Sequence, residues 1–432
     1  MKKLLLLLTI STISLIGYSR YNNYATKSTI VELSCKSEWG FFGHRRINRM
    51  AVFTLPQKML GFYKRHIEFV TEHAVDPDKR RYASKHEAVR HYIDLDHWGV
   101  YPFEKVPRKW DDTILKFCDL YVVDDQADTL LLIGYPDIKD RDAKPLLETG
   151  GDFLKEKDGT ETNISIKEYK RFFKQNIMRQ YYEDEWILAC DSLQSLIAGT
   201  GLNIDCNNAF AKDQFSGYGI LPFHLLNYYY KLKKAFENKD VERILRISAD
   251  YGHYIGDAHV PLHTTENYNG QMTNQIGIHA FWESRVPELF ADNEYDYFVG
   301  PAKYIDNKSE YFWDIVLTSH AYVDSVLLIE KELSKTFPED KQFCFDNRND
   351  RAIRTQCEEY VRAYSNRMDG MVETRMRDAI YAIGCVWYSA WVDAGQPKIN
   401  KLDLFKPNEA FLKAVAEEKA LYESGDIKGR KH

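Results

Sequence analysis

One stretch near the middle of the chain restricts the possible folds most, because it holds five side chains of metal-binding type within 31 residues. It reads His253-x3-Asp257-x5-His263 and, after a loop rich in glycine and asparagine, His279-x3-Glu283. Residues four positions apart lie on one face of a helix, so each pair directs two ligand atoms toward the same point. Imidazole nitrogen and carboxylate oxygen are ligands that Zn²⁺ accepts at about 2.0–2.2 Å. The pattern therefore predicts helical segments that converge on a metal site.

Further potential ligands precede this stretch, in the order Trp39-x4-His44, Asp76 and His91-x2-Asp94. A single His-x3-Asp pair is more often a salt bridge in a helical core than a metal site, but that interpretation does not account for the whole series. In order and spacing, the motifs resemble the superfamily that joins bacterial zinc-dependent phospholipase C to the fungal and plant single-strand nucleases of the S-one/P-one type. They span residues 39–283, and helical flanks extend the resemblance to about residue 395.

The resemblance implies a centre of three zinc ions and assigns side chains of this chain to each of them. The first ion is assigned Asp76, His91, His253 and Asp257; the second His263, His279 and Glu283; the third Asp257 as a bridging carboxylate, His44 and the backbone of Trp39. It also makes Asp76 the residue that orients or deprotonates the attacking water, and Asp94 an assisting catalytic residue. Lys79 or Arg80 would stand where the nucleases place an arginine that faces transition-state charge.

The third ion is the weakest of these assignments. In the family the tryptophan is the N-terminus of the mature protein and its amine binds the ion, whereas 38 residues precede Trp39 here. The nitrogen is therefore an amide, which is a poor ligand, unless a protease trims the chain. Without trimming, the third ion would depend on His44, Asp257 and the carbonyl of Trp39.

The resemblance implies hydrolysis of phosphoric diesters, with a zinc-bound water attacking phosphorus. A phospholipase C-like activity on phospholipids is the first hypothesis. The alternative is a single-strand-specific nuclease of DNA or RNA, which needs aromatic side chains that stack on bases, and aromatic residues make up 14% of the chain. A third hypothesis is a helical protein that binds zinc without catalysis. The second site has only three side-chain ligands, which leaves a position for water or substrate and favours an enzyme. No protein partner is predicted, and a monomer is expected.

Helical periodicity dominates the chain, and no segment alternates strongly enough to indicate a sheet. The predicted fold class is therefore all-α, with insertions between Gly99 and Pro222. Residues 39–395 are predicted as one helical zinc hydrolase domain and residues 396–432 as a charged C-terminal tail. A basic start and an apolar run within residues 1–20 indicate a secretory signal or an uncleaved membrane anchor, followed by a linker over residues 21–38. The protein is therefore expected in the periplasm or outside the cell.

Charge and cysteine content narrow the chemistry further. The formal net charge is −6 and no basic stripe is present, so affinity for nucleic acid would not come from overall charge. The chain has seven cysteines and no Cys-x2-Cys, so a thiolate zinc site is not indicated. In an exported protein Cys190 and Cys206, or Cys344 and Cys357, are the nearest candidates for pairing. The sequence leaves their connectivity open.

Overall fold

A computed structural model describes residues 40–138, 143–177, 185–198, 200–202, 204–348, 351–425, 427–428 and 430. The predicted signal or anchor over residues 1–20, the linker over residues 21–38, and Trp39 lie outside the described residues. The described part of the chain belongs to one compact unit.

Helices form the larger part of the structure, and helix α10 packs against several of the others. The helices are α1 (Gly40–Ala51), α2 (Gln57–Arg65), α3 (Ile67–Glu72), α4 (Asp76–Arg80), α5 (Lys85–Ala88), α6 (Trp110–Phe117), α7 (Ile166–Asn176), α8 (Cys190–Ile197), α9 (Leu221–Asn238), α10 (Val241–Ala258), α11 (Ile278–Ala280), α12 (Val286–Glu294), α13 (Lys308–His320), α14 (Val323–Thr336), α15 (Glu358–Arg367), α16 (Met371–Asp393) and α17 (Glu409–Ser424). Helices α1, α9 and α16 pack against α10. The last eight residues of α10, from Tyr251 to Ala258, are consequently all buried.

Two glycines let helix α1 approach helix α10 closely. A Cβ atom at Gly252 would lie 1.8 Å from Asn48 Oδ1, and one at Gly256 would lie 2.9 Å from His44 Nδ1. Asn48 also donates a hydrogen bond of 3.0 Å to the backbone of α10. Because no side chain separates the helices at these positions, the ring of His44 stacks on the ring of His253, with centroids 3.9 Å apart. The two glycines thus bring residues of distant sequence position into one site.

The prediction of an all-α fold is wrong, because a seven-stranded mixed sheet occupies the region from Cys118 to Asp213. Helix accounts for 58% of the structure and strand for 12%. The strands are β1 (Cys118–Val123), β2 (Thr129–Gly134), β3 (Leu147–Glu148), β4 (Phe153–Glu156), β5 (Glu161–Ser165), β6 (Glu185–Leu188) and β7 (Asn208–Asp213). Their order is β5-β4-β3-β2-β1-β7-β6, with β2 and β3 parallel and the other neighbours antiparallel.

Periodicity did not indicate these strands because consecutive residues are buried in the central ones. In β2, the adjacent residues Leu131, Leu132 and Ile133 are all buried. A strand covered on both faces shows a continuous apolar run instead of alternation, and a short run of this kind resembles a buried helix. Helices α7 and α8 pack against β5 and β7, respectively, so the inserted region contains its own small α/β layer.

A second sheet is the two-stranded pair β8 (Phe343–Arg348) and β9 (Arg351–Gln356), which is antiparallel. Both cysteine pairs that the sequence left open are disulfides in the structure, Cys190–Cys206 beside the large sheet and Cys344–Cys357 beside the small one. Cys118 and Cys385 are buried thiols.

The predicted charged tail, residues 396–432, contains helix α17, and of the described residues of this helix Phe411 alone is buried. Among the described residues, Lys308–Thr336 is long and apolar enough to cross a membrane, with a mean hydropathy of 1.3. The structure divides this stretch between helices α13 and α14, and residues of both belong to hydrophobic cores.

Candidate metal centre

Eight histidine, aspartate and glutamate side chains converge in the helical part of the molecule. They form four overlapping groups whose ligand atoms lie within 4.8 Å of one another: His91, His253 and Asp257; His44, Asp78 and His253; His44, Asp257 and Glu283; and His263, His279 and Glu283. These groups, most of whose side chains are buried, could hold a metal ion. Seven of the eight side chains are ligands expected from the sequence, and Asp78 is the eighth. Trp39, the remaining expected ligand besides Asp76, lies outside the described residues.

Backbone carbonyls hold three of the histidines in a common orientation. Nδ1 lies 2.9 Å from the Ala74 oxygen in His253, 2.7 Å from the His91 oxygen in His263, and 3.1 Å from the Tyr268 oxygen in His279. A carbonyl only accepts, so Nδ1 of each ring donates to it and Nε2 is the nitrogen that points away from the backbone. Each of these Nε2 atoms faces Asp257 or Glu283. Metal-binding histidines are oriented in this way, with one ring nitrogen held by a carbonyl and the other directed at the site.

Helix α10 places His253 and Asp257 side by side, as their spacing predicts. His91 follows the end of helix α5, and its Nδ1 lies 2.9 Å from Asp257 Oδ2 and 3.1 Å from His253 Nε2. His91 Nε2 is buried and has no hydrogen-bond partner among the described residues, with Glu87 Oε1 3.8 Å away. The three side chains therefore direct two nitrogens and one oxygen toward a common point.

Glu283 joins the other ligands through a distorted turn. It lies in a π-helical segment, Phe281–Arg285, between α11 and α12, and such segments inside helices are frequent at functional sites. One carboxylate oxygen of Glu283 is 2.8 Å from His279 Nε2 and 3.6 Å from His263 Nε2. The other is 3.4 Å from His44 Nε2.

Asp257 has a similar position between two groups. Its Oδ1 lies 3.4 Å from His44 Nε2, while its Oδ2 lies 2.9 Å from His91 Nδ1 and 3.3 Å from His253 Nε2. The two oxygens of one buried carboxylate thus face different sets of nitrogens. This geometry suits a bridging carboxylate, the role that the family resemblance implies for Asp257.

Asp78, and not Asp76, lies with the ligands. Asp78 Oδ1 is 3.7 Å from His253 Nε2 and 3.8 Å from His91 Nδ1. Asp76 belongs to none of the four groups among the described residues; instead it pairs with His73 at 2.5 Å and with Lys79 at 2.9 Å. Residues two positions apart on helix α4 point in nearly opposite directions, so only one of the two can face the centre. The Asp-Pro-Asp sequence offered both candidates and no local signal that separates them.

The basic residues after Asp76 also differ from the expectation. Lys79 pairs with Asp76, and Arg80 is directed to Asp250 at 2.9 Å. Nη1 of the next residue, Arg81, lies 3.5 Å from Asp78 Oδ1, so the basic side chain that pairs with this ligand is Arg81. Arg81 was missed because a run of three basic residues usually marks a solvated surface.

Asp94 lies beside the centre and not within the four groups. Its two oxygens accept hydrogen bonds of 2.8 Å and 3.0 Å from Nη1 of Arg430, a residue of the C-terminal tail. Burial raises the pKa of Asp94 to about 6, although Arg430 lowers it. The sequence gives no indication that the tail reaches this carboxylate, since 336 positions separate the two residues.

Burial dominates the electrostatics of the centre. It raises the pKa of Asp257 to about 7, although His263 and His44 lower it. Burial would also raise the pKa of Glu283, but hydrogen bonds with the neighbouring histidines outweigh it and hold that pKa well below its usual value. Burial lowers the pKa of His91 well below its usual value. A buried carboxylate such as Asp257 needs a positive partner, which a bound metal ion would supply.

The donor set fits a metal ion of borderline softness, since it combines imidazole nitrogens with carboxylate oxygens and includes no thiolate. No protein-family model matches the chain, and no curated protein matches it significantly.

Proposed function

We propose that the chain is a zinc-dependent hydrolase of phosphoric diesters with phospholipase C-like chemistry. The observation that carries the proposal is the sharing of Asp257 and Glu283 between neighbouring ligand groups. Shared carboxylates support adjacent metal ions, and adjacent ions can contact both the attacking and the leaving oxygen of a phosphate ester. Imidazole and carboxylate ligands without thiolate favour zinc over softer or harder ions.

Zinc held at such a centre lowers the pKa of water and neutralises charge on phosphoryl oxygens. Two residues of the chain, Asp78 and Arg81, would then act on the incoming water and on the phosphoryl oxygens. Asp78 has a side chain that is 24% exposed, the largest exposure among the ligand carboxylates, and its oxygens can accept a proton from an incoming water. The guanidinium of Arg81, beside Asp78, can donate hydrogen bonds to the phosphoryl oxygens, whose charge increases in the transition state.

The ligand count favours an enzyme over a protein that only stores zinc. Structural zinc sites use four protein ligands, whereas catalytic sites leave a position for water or substrate. The group of His263, His279 and Glu283 provides three side chains. Glu283 keeps 15% of its side-chain surface exposed, so this group has access to solvent.

A single-strand-specific nuclease remains the second candidate, and one observation favours it. The rings of Tyr92 and Tyr268 lie beside the centre with one planar group, the guanidinium of Arg430, within 4.1 Å and 3.5 Å of their centroids. Two rings that hold a planar group suit a nucleic-acid base, because base stacking on aromatic side chains is independent of overall charge.

The test combines metal analysis with a substrate panel. Zinc per chain is measured by mass spectrometry, and hydrolysis of bis-p-nitrophenyl phosphate, phosphatidylcholine, single-stranded DNA and RNA is assayed with and without chelator. We expect more than one zinc per chain and hydrolysis that chelation removes and zinc restores. Full activity in chelated protein shown to be free of metal would refute the zinc mechanism. Bound zinc without turnover of any substrate would favour the non-catalytic hypothesis.

His279→Ala and His86→Ala form a matched pair for this test. His279 faces Glu283 at 2.8 Å, whereas His86 is a half-buried histidine that belongs to none of the four groups. We expect the first substitution to remove zinc and hydrolysis, and the second to change neither. Equal effects of the two would show that the histidines stabilise the fold and not a metal.

A further inference from the structure

The C-terminal part of the chain reaches residues that are close in sequence to the ligands of the candidate metal centre: Arg430 contacts Tyr92 and Asp94, and Lys428 contacts Arg81. We call helix α17 together with Ile427, Lys428 and Arg430 the C-terminal strap. Phe411 near the start of the strap contacts the ring of Phe69, and Tyr422 near its end contacts the ring of Tyr82, at centroid distances of 5.9 Å and 5.1 Å. Helix α17 packs against α4, the helix that carries Asp78.

The side chain of Arg430 lies among residues that follow the ligands His91 and His263 in the sequence. Its guanidinium lies over the rings of Tyr268 and Tyr92, at 3.5 Å and 4.1 Å from their centroids. It donates to both oxygens of Asp94, and Nη2 donates to the Thr265 carbonyl at 3.1 Å. Only 11% of the Arg430 side chain is exposed, so its pair with Asp94 is a buried ion pair and not a surface one.

The backbone of the strap forms hydrogen bonds with a neighbouring cation, Arg81. Arg81 Nη2 donates a hydrogen bond of 2.8 Å to the Arg430 carbonyl, and the Lys428 amide donates one of 2.9 Å to the Arg81 carbonyl. Arg81 is the residue that we place on the phosphoryl oxygens of the substrate. A carbonyl oxygen of the strap therefore lies where a phosphoryl oxygen would be bound.

We propose that the C-terminal strap is an autoinhibitory segment, with Arg430 as an internal ligand that substrate must displace. The inference rests on the proposed function, because it treats Arg81, Tyr92, Tyr268 and Asp94 as parts of a substrate cleft. Arg430 contacts all four at once. Its carbonyl accepts a hydrogen bond from Arg81, and its guanidinium lies against both tyrosine rings and pairs with the Asp94 carboxylate. Any substrate that uses Arg81 or the two rings competes with the strap.

Displacement of the strap is compatible with the rest of the fold. Phe411 is the buried residue of α17, whereas most of the other side chains of that helix are exposed. Most of the ligands lie on segments that pack in the core, whereas Asp78 lies on α4, against which the strap packs. The strap can therefore leave without moving the ligands other than Asp78. For a ligand that binds only the open form, the apparent affinity equals the intrinsic affinity multiplied by the fraction of molecules that are open.

The experiment compares full-length wild type with Arg430→Ala, Arg430→Lys and the control Lys419→Ala. Lys419 is a cation on helix α17 of the strap, with 71% of its side chain exposed. Binding of inorganic phosphate to the zinc-loaded proteins is measured by calorimetry, and kcat/KM for bis-p-nitrophenyl phosphate is measured in parallel. We expect Arg430→Ala to bind phosphate about 10-fold more tightly and to gain a similar factor in kcat/KM, if the strap is closed in about nine-tenths of molecules. Arg430→Lys should gain less, and Lys419→Ala nothing.

Hydrogen exchange of the Lys428 amide gives a readout that does not depend on catalysis. Phosphate added to zinc-loaded wild type should speed this exchange, because it takes Arg81 from the strap. Tighter phosphate binding by Arg430→Ala without turnover in any variant would refute the hydrolase and retain the strap as a segment that competes with phosphate for the cleft. Unchanged or weaker phosphate binding in Arg430→Ala, while its Lys428 amide exchanges faster than in wild type, would overturn the strap, because an open cleft would then bring no gain.

Discussion

The helical centre and the inserted sheet bury their apolar side chains equally well but differ in the polar groups that they bury. Ile255 on helix α10 and Leu132 on strand β2 are both 0% exposed. Around Ile255, however, lie histidines and carboxylates in four overlapping groups, all of them in the helical part of the described chain. Burying polar and charged groups is costly unless they are paired or bind a metal. The buried carboxylates of the helical region therefore need a compensating cation, and no such ligand group lies in the described residues of the sheet.

The largest expected effect tests that division directly. Asp257→Ala removes a carboxylate that belongs to two ligand groups, so we expect the loss of more than one metal ion per chain and of nearly all hydrolysis. The control is Glu161→Ala on strand β5 of the sheet, where the side chain is 52% exposed. Mass spectrometry of bound metal and turnover of bis-p-nitrophenyl phosphate check both variants. Normal metal content in Asp257→Ala would mean that the buried carboxylate serves the fold alone.

Asp78→Asn and Asp76→Asn separate the two carboxylates of helix α4. Asp78 lies with His253 and His91, whereas Asp76 pairs with His73 and Lys79. We expect Asp78→Asn to lower metal affinity or turnover by about 10–100-fold, and Asp76→Asn to lower them less. Competition with a chelator of known affinity, followed by kinetics at saturating zinc, measures the two effects. The reverse order would restore Asp76 as the ligand that the family resemblance implies.

Two matched truncations compare the cores of the regions. Leu132→Ala and Ile255→Ala each delete a fully buried side chain, and each should lower the free energy of unfolding by about 2–5 kcal/mol. Ile255 lies between His253 and Asp257, so its truncation should also weaken zinc binding, whereas Leu132→Ala should leave zinc affinity unchanged. Denaturant unfolding and zinc titration on the same samples provide the comparison. Equal loss of zinc affinity would show that the sheet helps to position the ligands.

The smallest expected effect concerns Asp94 at the edge of the centre, whose pKa burial raises to about 6 despite Arg430. A carboxyl group with a raised folded-state pKa stabilises the fold most below its unfolded pKa of about 3.9, and loses that contribution as pH rises through its folded pKa. Asp94→Asn does not titrate. Its melting temperature in metal-free protein should therefore increase relative to wild type between about pH 4.5 and about pH 7.5. A relative decrease over this range would mean that the ion pair with Arg430 outweighs burial.

Local periodicity predicted four residues of the centre, and the family resemblance added His44 and His91. His253 with Asp257, and His279 with Glu283, are four residues apart, and such pairs share a helical face whatever the rest of the fold does. The seven expected ligands from His44 to Glu283 converge because the segments that carry them pack together in the structure. The two disulfides join the cysteines nearest in sequence, which short loops make geometrically accessible.

Tertiary structure alone decided the rest. The sequence pattern did not indicate the inserted sheet, because burial on both faces removes the alternation that marks a strand. The choice of Asp78 over Asp76 depends on how a helix of five residues is rotated against α10. Arg430 reaches Asp94 across 336 positions. The sequence by itself determined which residue types could form a metal centre, because their spacing is a local property of the helix. Which of two carboxylates turns inward, and what covers the cleft, are set by packing between distant segments, which leaves no periodic trace in the chain.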